Sequence, residues 1–155
     1  WIDIKNKNQN IQLHLIGRLQ TNKVKLALKI FNYIHSLDSE KLANKIADEQ
    51  TKQRKKPKIF IQVNIGNEDQ KSGINKKNLS DFYKFCKNLN LDIIGTMCIP
   101  PNDNNTEKHF SEMSDINKEF NFNELSMGMS GDYLEAIKNN ATYVRVGSRI
   151  FGIRT

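Results

Sequence analysis

Two short loops rich in glycine and serine, near the end of the chain, have the composition of a phosphate site. One is residues 128–131 (Gly-Met-Ser-Gly), and the other is Gly147-Ser148. Where two such loops follow adjacent parallel strands, their backbone N–H groups and the hydroxyls of Ser130 and Ser148 point towards one spot. A helix that begins after the first loop adds its partial positive charge. The same loops also serve as plain connections in α/β proteins, so both interpretations stay open.

The residues around these loops predict the elements that would position them. Residues 125–127 and 143–146 are short apolar runs typical of buried strands, and glycine and serine follow each run. Asp132 and Glu135 have the spacing of a capping box, which predicts a helix between the two strands. The side chains expected to face the core in this helix recur at i, i+3 and i+7 and are Leu134, Ile137 and Ala141.

The rest of the chain repeats the alternation of strand and helix. Four further strands are predicted, over residues 11–16, 33–37, 58–65 and 91–99. Four further helices are predicted from apolar residues that share one side. Their core-facing residues are Val24, Ala27, Leu28 and Phe31, then Leu42, Ala43, Ile46 and Ala47, then Leu79, Phe82, Cys86 and Leu89, and last Phe110, Met113, Asn117 and Phe120. This alternation requires a parallel sheet with right-handed crossovers, either a doubly wound open sheet or a barrel.

Length and composition predict one soluble α/β domain over residues 1–155. The chain has no apolar run of the roughly 18 residues that a membrane span needs, and no signal-peptide pattern opens it. Cys86 and Cys98 lack metal-ligand spacing and are too few for a disulfide framework, so a reducing, cytoplasmic location is expected. The first residue is Trp1 rather than Met, and we expect that the sequence is incomplete at this end.

The net charge of +7 raises the possibility of a nucleic-acid partner. The densest basic run, residues 52–56, precedes a proline and contains no aromatic residue that could stack on a base. Such a run is typical of a solvated connection, and the other lysines are scattered along the chain. We therefore expect no dedicated nucleic-acid site, although a basic nucleic-acid-associated protein stays as an alternative.

Four blocks of residues, in order along the chain, resemble the pyridoxal phosphate homeostasis proteins. They are residues 16–23 (IGRLQTNK), residues 62–64 (QVN) with 71–73 (KSG), residues 95–100 (GTMCIP), and residues 126–132 (SMGMSGD) with 144–152 (VRVGSRIFG). The resemblance implies a (β/α)8 barrel like the N-terminal domain of alanine racemase. A barrel of that type usually needs roughly 200 residues or more. The strand at residues 13–16 would correspond to the third barrel strand, so the first two βα units would be missing.

The resemblance also implies pyridoxal 5′-phosphate (PLP) as the cofactor and assigns residues to it. The residues expected against the cofactor phosphate are Met129, Ser130, Gly147 and Ser148. Asn64, at the carboxyl end of its strand, is expected at the same mouth of the barrel.

Arg145 is expected near the pyridine nitrogen of the cofactor. Arginine does not give up its proton, so it would donate to that nitrogen and keep it unprotonated. The ring would then be a weaker electron sink, which suits a protein that holds the cofactor rather than one that drives amino-acid chemistry. The structural alternative is an ion pair of Arg145 with Asp132 or Glu135. His14, on an otherwise apolar strand, is interpreted as a core histidine rather than a catalyst.

One feature of the family has no counterpart in this sequence. The lysine that bonds to the cofactor lies on the first barrel strand of these proteins, and no lysine here has an equivalent setting; Lys5 and Lys7 lie in a polar segment before the third strand. We therefore expect no catalytic residue and no metal site, and a protein that carries or buffers PLP, with PLP-dependent client enzymes as further partners. An alanine racemase-like enzyme is the alternative.

Overall fold

Six parallel strands, hydrogen-bonded in chain order, form the framework of this α/β protein. The computed structural model describes residues 1–68 and 70–152. The strands are β1 (His14–Leu15), β2 (Tyr33–Leu37), β3 (Lys58–Gln62), β4 (Asp92–Met97), β5 (Glu124–Met129) and β6 (Tyr143–Arg145). The helices are α1 (Ile2–Lys7), α2 (Val24–Ile30), α3 (Glu40–Gln53), α4 (Leu79–Asn88), α5 (Thr106–Glu119), α6 (Tyr133–Lys138) and α7 (Ser148–Phe151), and short 3-10 helices (Thr21–Lys23 and Lys76–Asn78) precede α2 and α4.

The predicted alternation of strand and helix is confirmed, because α2 to α6 each connect one strand to the next. The predicted strand over residues 33–37 has the observed bounds of β2. Strands β1, β3, β4 and β6 are shorter than predicted, and β5 is longer. Ser39 caps α3, since its hydroxyl accepts a hydrogen bond from the Leu42 N–H. The flanking helices α1 and α7 were not predicted.

An aliphatic layer holds the helices to the outer face of the sheet. Strand residues such as Ile34, Ile59 and Ile61 are fully buried there. They pack with helix residues, among them Leu28 and Ile46, in one continuous cluster. The cluster consists of apolar side chains at strand period 2 and helix period 3.6, which is why the sequence pattern predicts it.

The sheet curls so that its two edges face each other. The ring of Tyr143 on β6 lies 5.6 Å, centroid to centroid, from that of His14 on β1. In a flat sheet, strands spaced about 4.8 Å apart would place these two edges roughly 24 Å from each other. The contact therefore requires a curled half-barrel whose concave inner face carries polar and aromatic side chains.

Two expectations about α6 are wrong. Asp132 and Glu135 form no capping box: Asp132 Oδ1 accepts a hydrogen bond from Met129 N at 2.6 Å, and Glu135 pairs with Lys138. The helix also presents a different face to the sheet, because Leu134 is 59% exposed and Ile137 is 51% exposed.

Close packing at Gly128 explains the orientation of α6. Ala136 is the fully buried residue of this helix. A Cβ at Gly128 would lie only 2.5 Å from the Ala136 Cβ, so strand and helix are closer here than two larger side chains would allow. Gly128 also has a φ of +88°, which favours glycine.

Within the described ranges, no helix combines the length and the apolar character that a membrane crossing requires. Nor do these residues contain a cluster of three or more His, Cys, Asp or Glu side chains that could hold a metal ion.

Candidate functional site

The two glycine- and serine-rich loops meet at the carboxyl ends of β5 and β6. These strands are parallel neighbours, with Met129 paired to Arg145 in the register. Across the loops, Gly147 N donates a hydrogen bond to Ser130 Oγ at 3.0 Å. An oxygen that accepts this bond keeps its own hydrogen, so the Ser130 hydroxyl can still donate to a ligand.

A cleft of about 1270 Å³ opens over these loops. It is lined by Met129, Ser130, Arg145, Gly147 and Ser148, together with Ile16, Ile99, Gly131, Val144, Val146, Phe151 and Gly152. A Cβ at Gly131 or Gly147 would meet no atom within 4 Å, so both backbones face open space. Ser148 is the first residue of α7, where an N–H has no carbonyl partner within its own helix.

Arg145 lies at the inner end of this cleft and is held by two neutral oxygens. Its Nη1 donates to Ser126 Oγ and its Nη2 donates to the Cys98 carbonyl, each at 2.9 Å. Its Nε is buried and has no hydrogen-bond partner among the described residues. Burial lowers the pKa of Arg145, and the nearby Cys98 and Asp132 oppose this shift.

Arg145 forms no ion pair with Asp132 or Glu135, the two carboxylates that the sequence suggested as partners. Asp132 binds the Met129 N–H and Glu135 binds Lys138, as described above. Two of the five N–H groups of the guanidinium are thus used, and the buried Nε–H is among those without a partner. The group also has no carboxylate partner in the described part of the chain.

Two histidines continue the polar contacts from Arg145 across the inner face. His35 Nδ1 lies 2.9 Å from Ser126 Oγ, and His35 Nε2 lies 3.0 Å from His14 Nδ1. Burial, followed by the charges of His14 and Arg145, lowers the pKa of His35 to about 3. Burial also lowers the pKa of His14. Both imidazoles are therefore neutral near pH 7.

Sequence reasoning missed His35 altogether. The available signal was its position two residues after Tyr33, which places both side chains on the inner face of β2. His14 is half-buried and hydrogen-bonded, stacked on the Tyr33 ring at 4.0 Å, as the interpretation of a satisfied core histidine requires.

Asn64 is not among the residues that line the cleft. Its side chain shapes the loop after β3, where Nδ2 donates to the Glu68 carbonyl and Oδ1 accepts from the Glu68 N–H. Nearby, Lys71 Nζ lies 2.6 Å from the Glu68 carboxylate. The structure thus brings together five of the six predicted cofactor residues, and the role of Asn64 stays a prediction.

Comparisons with known proteins identify relatives of this chain. The sequence profile described as the alanine racemase N-terminal domain matches residues 4–155. The pyridoxal phosphate homeostasis protein of Aquifex aeolicus is 37% identical over 158 residues, which cover 96% of this chain and 69% of that protein.

Solved structures agree with the fold. PipY of Synechococcus elongatus, in a structure with PLP bound, superposes with a TM-score of 0.87 at 29% identity, over 97% of this chain and 74% of that one. Alanine racemase of Clostridium difficile superposes with a TM-score of 0.71 at 16% identity, over 97% and 42% of the two chains, and shares the fold alone. This chain belongs to the pyridoxal phosphate homeostasis protein family, which has the fold of the alanine racemase N-terminal domain.

Proposed function

We propose that this chain binds PLP in the cleft above β5 and β6 and serves in homeostasis of that cofactor. The observation that carries the proposal is the hydrogen bond between Gly147 N and Ser130 Oγ, at 3.0 Å. This bond joins two phosphate-type loops beside Arg145, whose buried Nε–H has no hydrogen-bond partner among the described residues. The structure of PipY with PLP bound supports the same cofactor.

The loops fit the phosphate end of the cofactor. The Gly131 backbone, the hydroxyls of Ser130 and Ser148, and the first N–H groups of α7 can supply donors. Gly131 and Gly147 place no side chain in the way, and the Gly147 N–H holds Ser130 in position. Phosphate oxygens accept several such bonds at once, and charge-assisted bonds are stronger than neutral ones. Met129, 48% exposed on the rim of the cleft, adds apolar contact.

Arg145 fits the ring end. Its Nε would donate to the pyridine nitrogen, while Nη1 and Nη2 stay bound to Ser126 and Cys98. When bound, PLP supplies a reactive aldehyde and an electron-withdrawing ring. An arginine partner does not protonate the ring nitrogen, so it limits that electron withdrawal.

A carrier of PLP fits better than a catalyst. Relatives at 31–37% identity are pyridoxal phosphate homeostasis proteins, whereas the likeness to alanine racemase concerns the fold alone. We propose PLP-dependent enzymes as the proteins that receive the cofactor. Nucleic-acid binding has the net charge as its only support.

The six strands are proposed to be the third to eighth strands of a (β/α)8 barrel, with residues 1–155 as one domain. The chain spans 69% of the Aquifex aeolicus relative and 74% of PipY. Two further βα units would fit the gap between the edge strands β1 and β6. They would also supply the lysine that bonds to the cofactor. Cys86 and Cys98 are free thiols, which supports a reducing compartment such as the cytoplasm.

Calorimetric titration of PLP into the 155-residue chain tests the proposal. Ser130→Ala and Ser148→Ala should each weaken binding by about 1–3 kcal/mol, because each removes a hydroxyl donor to an anion. Ser111→Ala, an exposed serine on α5 away from the cleft, is the matched control and should bind like the wild type. Unchanged affinity in both cleft variants would refute the assignment.

A further inference from the structure

A continuous run of polar contacts crosses the inner face of the half-barrel, from β1 to β6. His14 Nδ1 lies 3.0 Å from His35 Nε2, His35 Nδ1 lies 2.9 Å from Ser126 Oγ, and Ser126 Oγ accepts from Arg145 Nη1 at 2.9 Å. His35 is 2% exposed and Ser126 is fully buried, so water does not satisfy the contacts between them. Only Arg145 of these four residues lines the cleft.

The position of each proton in this run follows from counting donors and acceptors. Ser126 Oγ accepts from Arg145, so its single hydrogen has to be donated elsewhere. The acceptor within reach, among the described residues, is His35 Nδ1. The His35 proton is then on Nε2 and is donated to His14 Nδ1, which places the His14 proton on Nε2. If His35 instead donated from Nδ1 to Ser126, the Ser126 hydroxyl hydrogen would be buried without an acceptor, and such a hydrogen costs free energy.

The charges around the run also favour neutral imidazoles, which the proton positions above require. A cationic His35 would donate from both nitrogens and would add a second positive charge close to the Arg145 guanidinium. No carboxylate contacts either imidazole in the part of the chain that the structure describes, and the rings beside them are aromatic. Phe60 stacks on His35 with centroids 4.2 Å apart, and Tyr143 lies edge-on to His35 at 5.9 Å.

The run restricts the guanidinium of Arg145. Rotation of the group would break the bonds of Nη1 to Ser126 and of Nη2 to Cys98, and it would move the buried Nε away from its present direction. Ser126 Oγ accepts a hydrogen bond from Nη1 and donates its own hydrogen to His35 Nδ1, so His35 fixes the orientation of the Ser126 hydroxyl. His35 therefore acts on Arg145 through one intervening side chain.

We propose that His35 is a positioning residue. Through Ser126, and with His14 behind it, His35 fixes the orientation of the Arg145 guanidinium, and so of its unpaired Nε–H, at the edge of the cleft. The proposal rests on the proposed function for the identity of the ligand, because Arg145 is there assigned to the pyridine ring. The position of the protons and the rigidity of the guanidinium can be measured without any ligand.

Nitrogen-15 NMR of the ligand-free chain tests the proton positions. The chain has 3 histidines, and His14→Gln and His35→Gln assign two of them. We expect His35 and His14 as neutral imidazoles with the proton on Nε2 at pH 7. We also expect separate, slowly exchanging Nη signals for Arg145, which merge in His35→Leu and in Ser126→Ala. A His35 proton on Nδ1, or an equally restricted guanidinium in His35→Leu, would overturn the proposal.

Ligand binding supplies the second readout. His35→Leu should weaken PLP binding about threefold to tenfold, the effect of about one net hydrogen bond, and should shift the absorption band of bound PLP. Affinity for inorganic phosphate should stay the same, because the loops are intact. His35→Gln, which can still accept from Ser126 and donate to His14, should restore most of the affinity and is the check against a merely unfolded variant.

The outcomes separate the two proposals. If the wild type does not bind PLP but the tautomers and the restricted guanidinium are as expected, the proposed function fails and the positioning role of His35 stands for another ligand. If PLP binds and His35→Leu changes neither its affinity nor its absorption band, the positioning role fails and the proposed function stands.

Discussion

Both faces of the curled sheet contain fully buried residues, but the two faces differ in what these side chains require. Ile34 and His35 are neighbours on β2, with exposed fractions of 0% and 2%. Ile34 faces the aliphatic layer under the helices, where another apolar side chain of similar volume could pack. His35 faces inwards, where it needs an acceptor on one side and a donor on the other. Burial alone therefore does not reveal which residue serves the site.

The largest effect is expected on the outer face. Ile34→Ala should lower the free energy of unfolding by about 2–5 kcal/mol, because it removes buried methylene groups and leaves a cavity. Ile34→Val is the matched control and should cost about 0.5–1.5 kcal/mol. Denaturant unfolding measures both. A loss in Ile34→Ala no larger than that in Ile34→Val would contradict the description of this face as a tightly packed aliphatic layer.

A second substitution tests the close contact between β5 and α6. Gly128→Ala should destabilise the protein by about 1–3 kcal/mol, since the new Cβ would lie 2.5 Å from that of Ala136 and φ is +88°. Gly131→Ala, three residues later, places its Cβ in open space and should leave the thermal midpoint nearly unchanged. Equal midpoints for the two variants would show that Gly128 is not needed for this packing.

Acid should lower the free energy of unfolding through His35 on the inner face, whereas the aliphatic face contains no group that titrates in this range. The folded state lowers the pKa of His35 to about 3, from an ordinary value of 6.5. Between these values the unfolded chain binds a proton that the folded chain does not, so stability is complete above about pH 6.5 and falls as the pH drops towards 3. From pH 7 to pH 5 the expected loss is about 2 kcal/mol.

The non-titrating variant His35→Gln provides the control for this pH dependence. Its free energy of unfolding should change much less between pH 7 and pH 5 than that of the wild type, as measured by denaturant titration at each pH. A variant that loses as much stability as the wild type would assign the pH dependence to other groups.

The sequence predicted the outer face well, for physical reasons visible in single residues. Leu42, Ala43 and Ile46 recur at the helix period and are buried as expected, because many weak apolar contacts add up without specific geometry. The prediction was wrong for α6, where periodicity favoured Leu134 and Ile137. A helix of six residues gives a short pattern, and the small side chain needed beside Gly128 decides its orientation.

The site was only partly predictable. The glycine and serine loops and Arg145 are separated in sequence by only one short helix and belong to neighbouring strands, so their convergence follows from local order. His35 meets Ser126 across a sequence separation of 91 residues, and that contact exists only because the sheet curls. No local sequence pattern predicts this curvature. The available signal for His35 was its spacing of two residues from Tyr33, which places both side chains on the same face of β2.

The most direct test of the central claim compares PLP with pyridoxal, which has the same ring and aldehyde but no phosphate. Equilibrium titration of the 155-residue chain should give one PLP per chain, with an affinity at least about tenfold higher than for pyridoxal, since the loops at Ser130 and Gly147 are assigned to the phosphate. Inorganic phosphate should compete with PLP. Equal affinities for the two compounds, with no competition by phosphate, would contradict the claim that this cleft binds the cofactor through its phosphate.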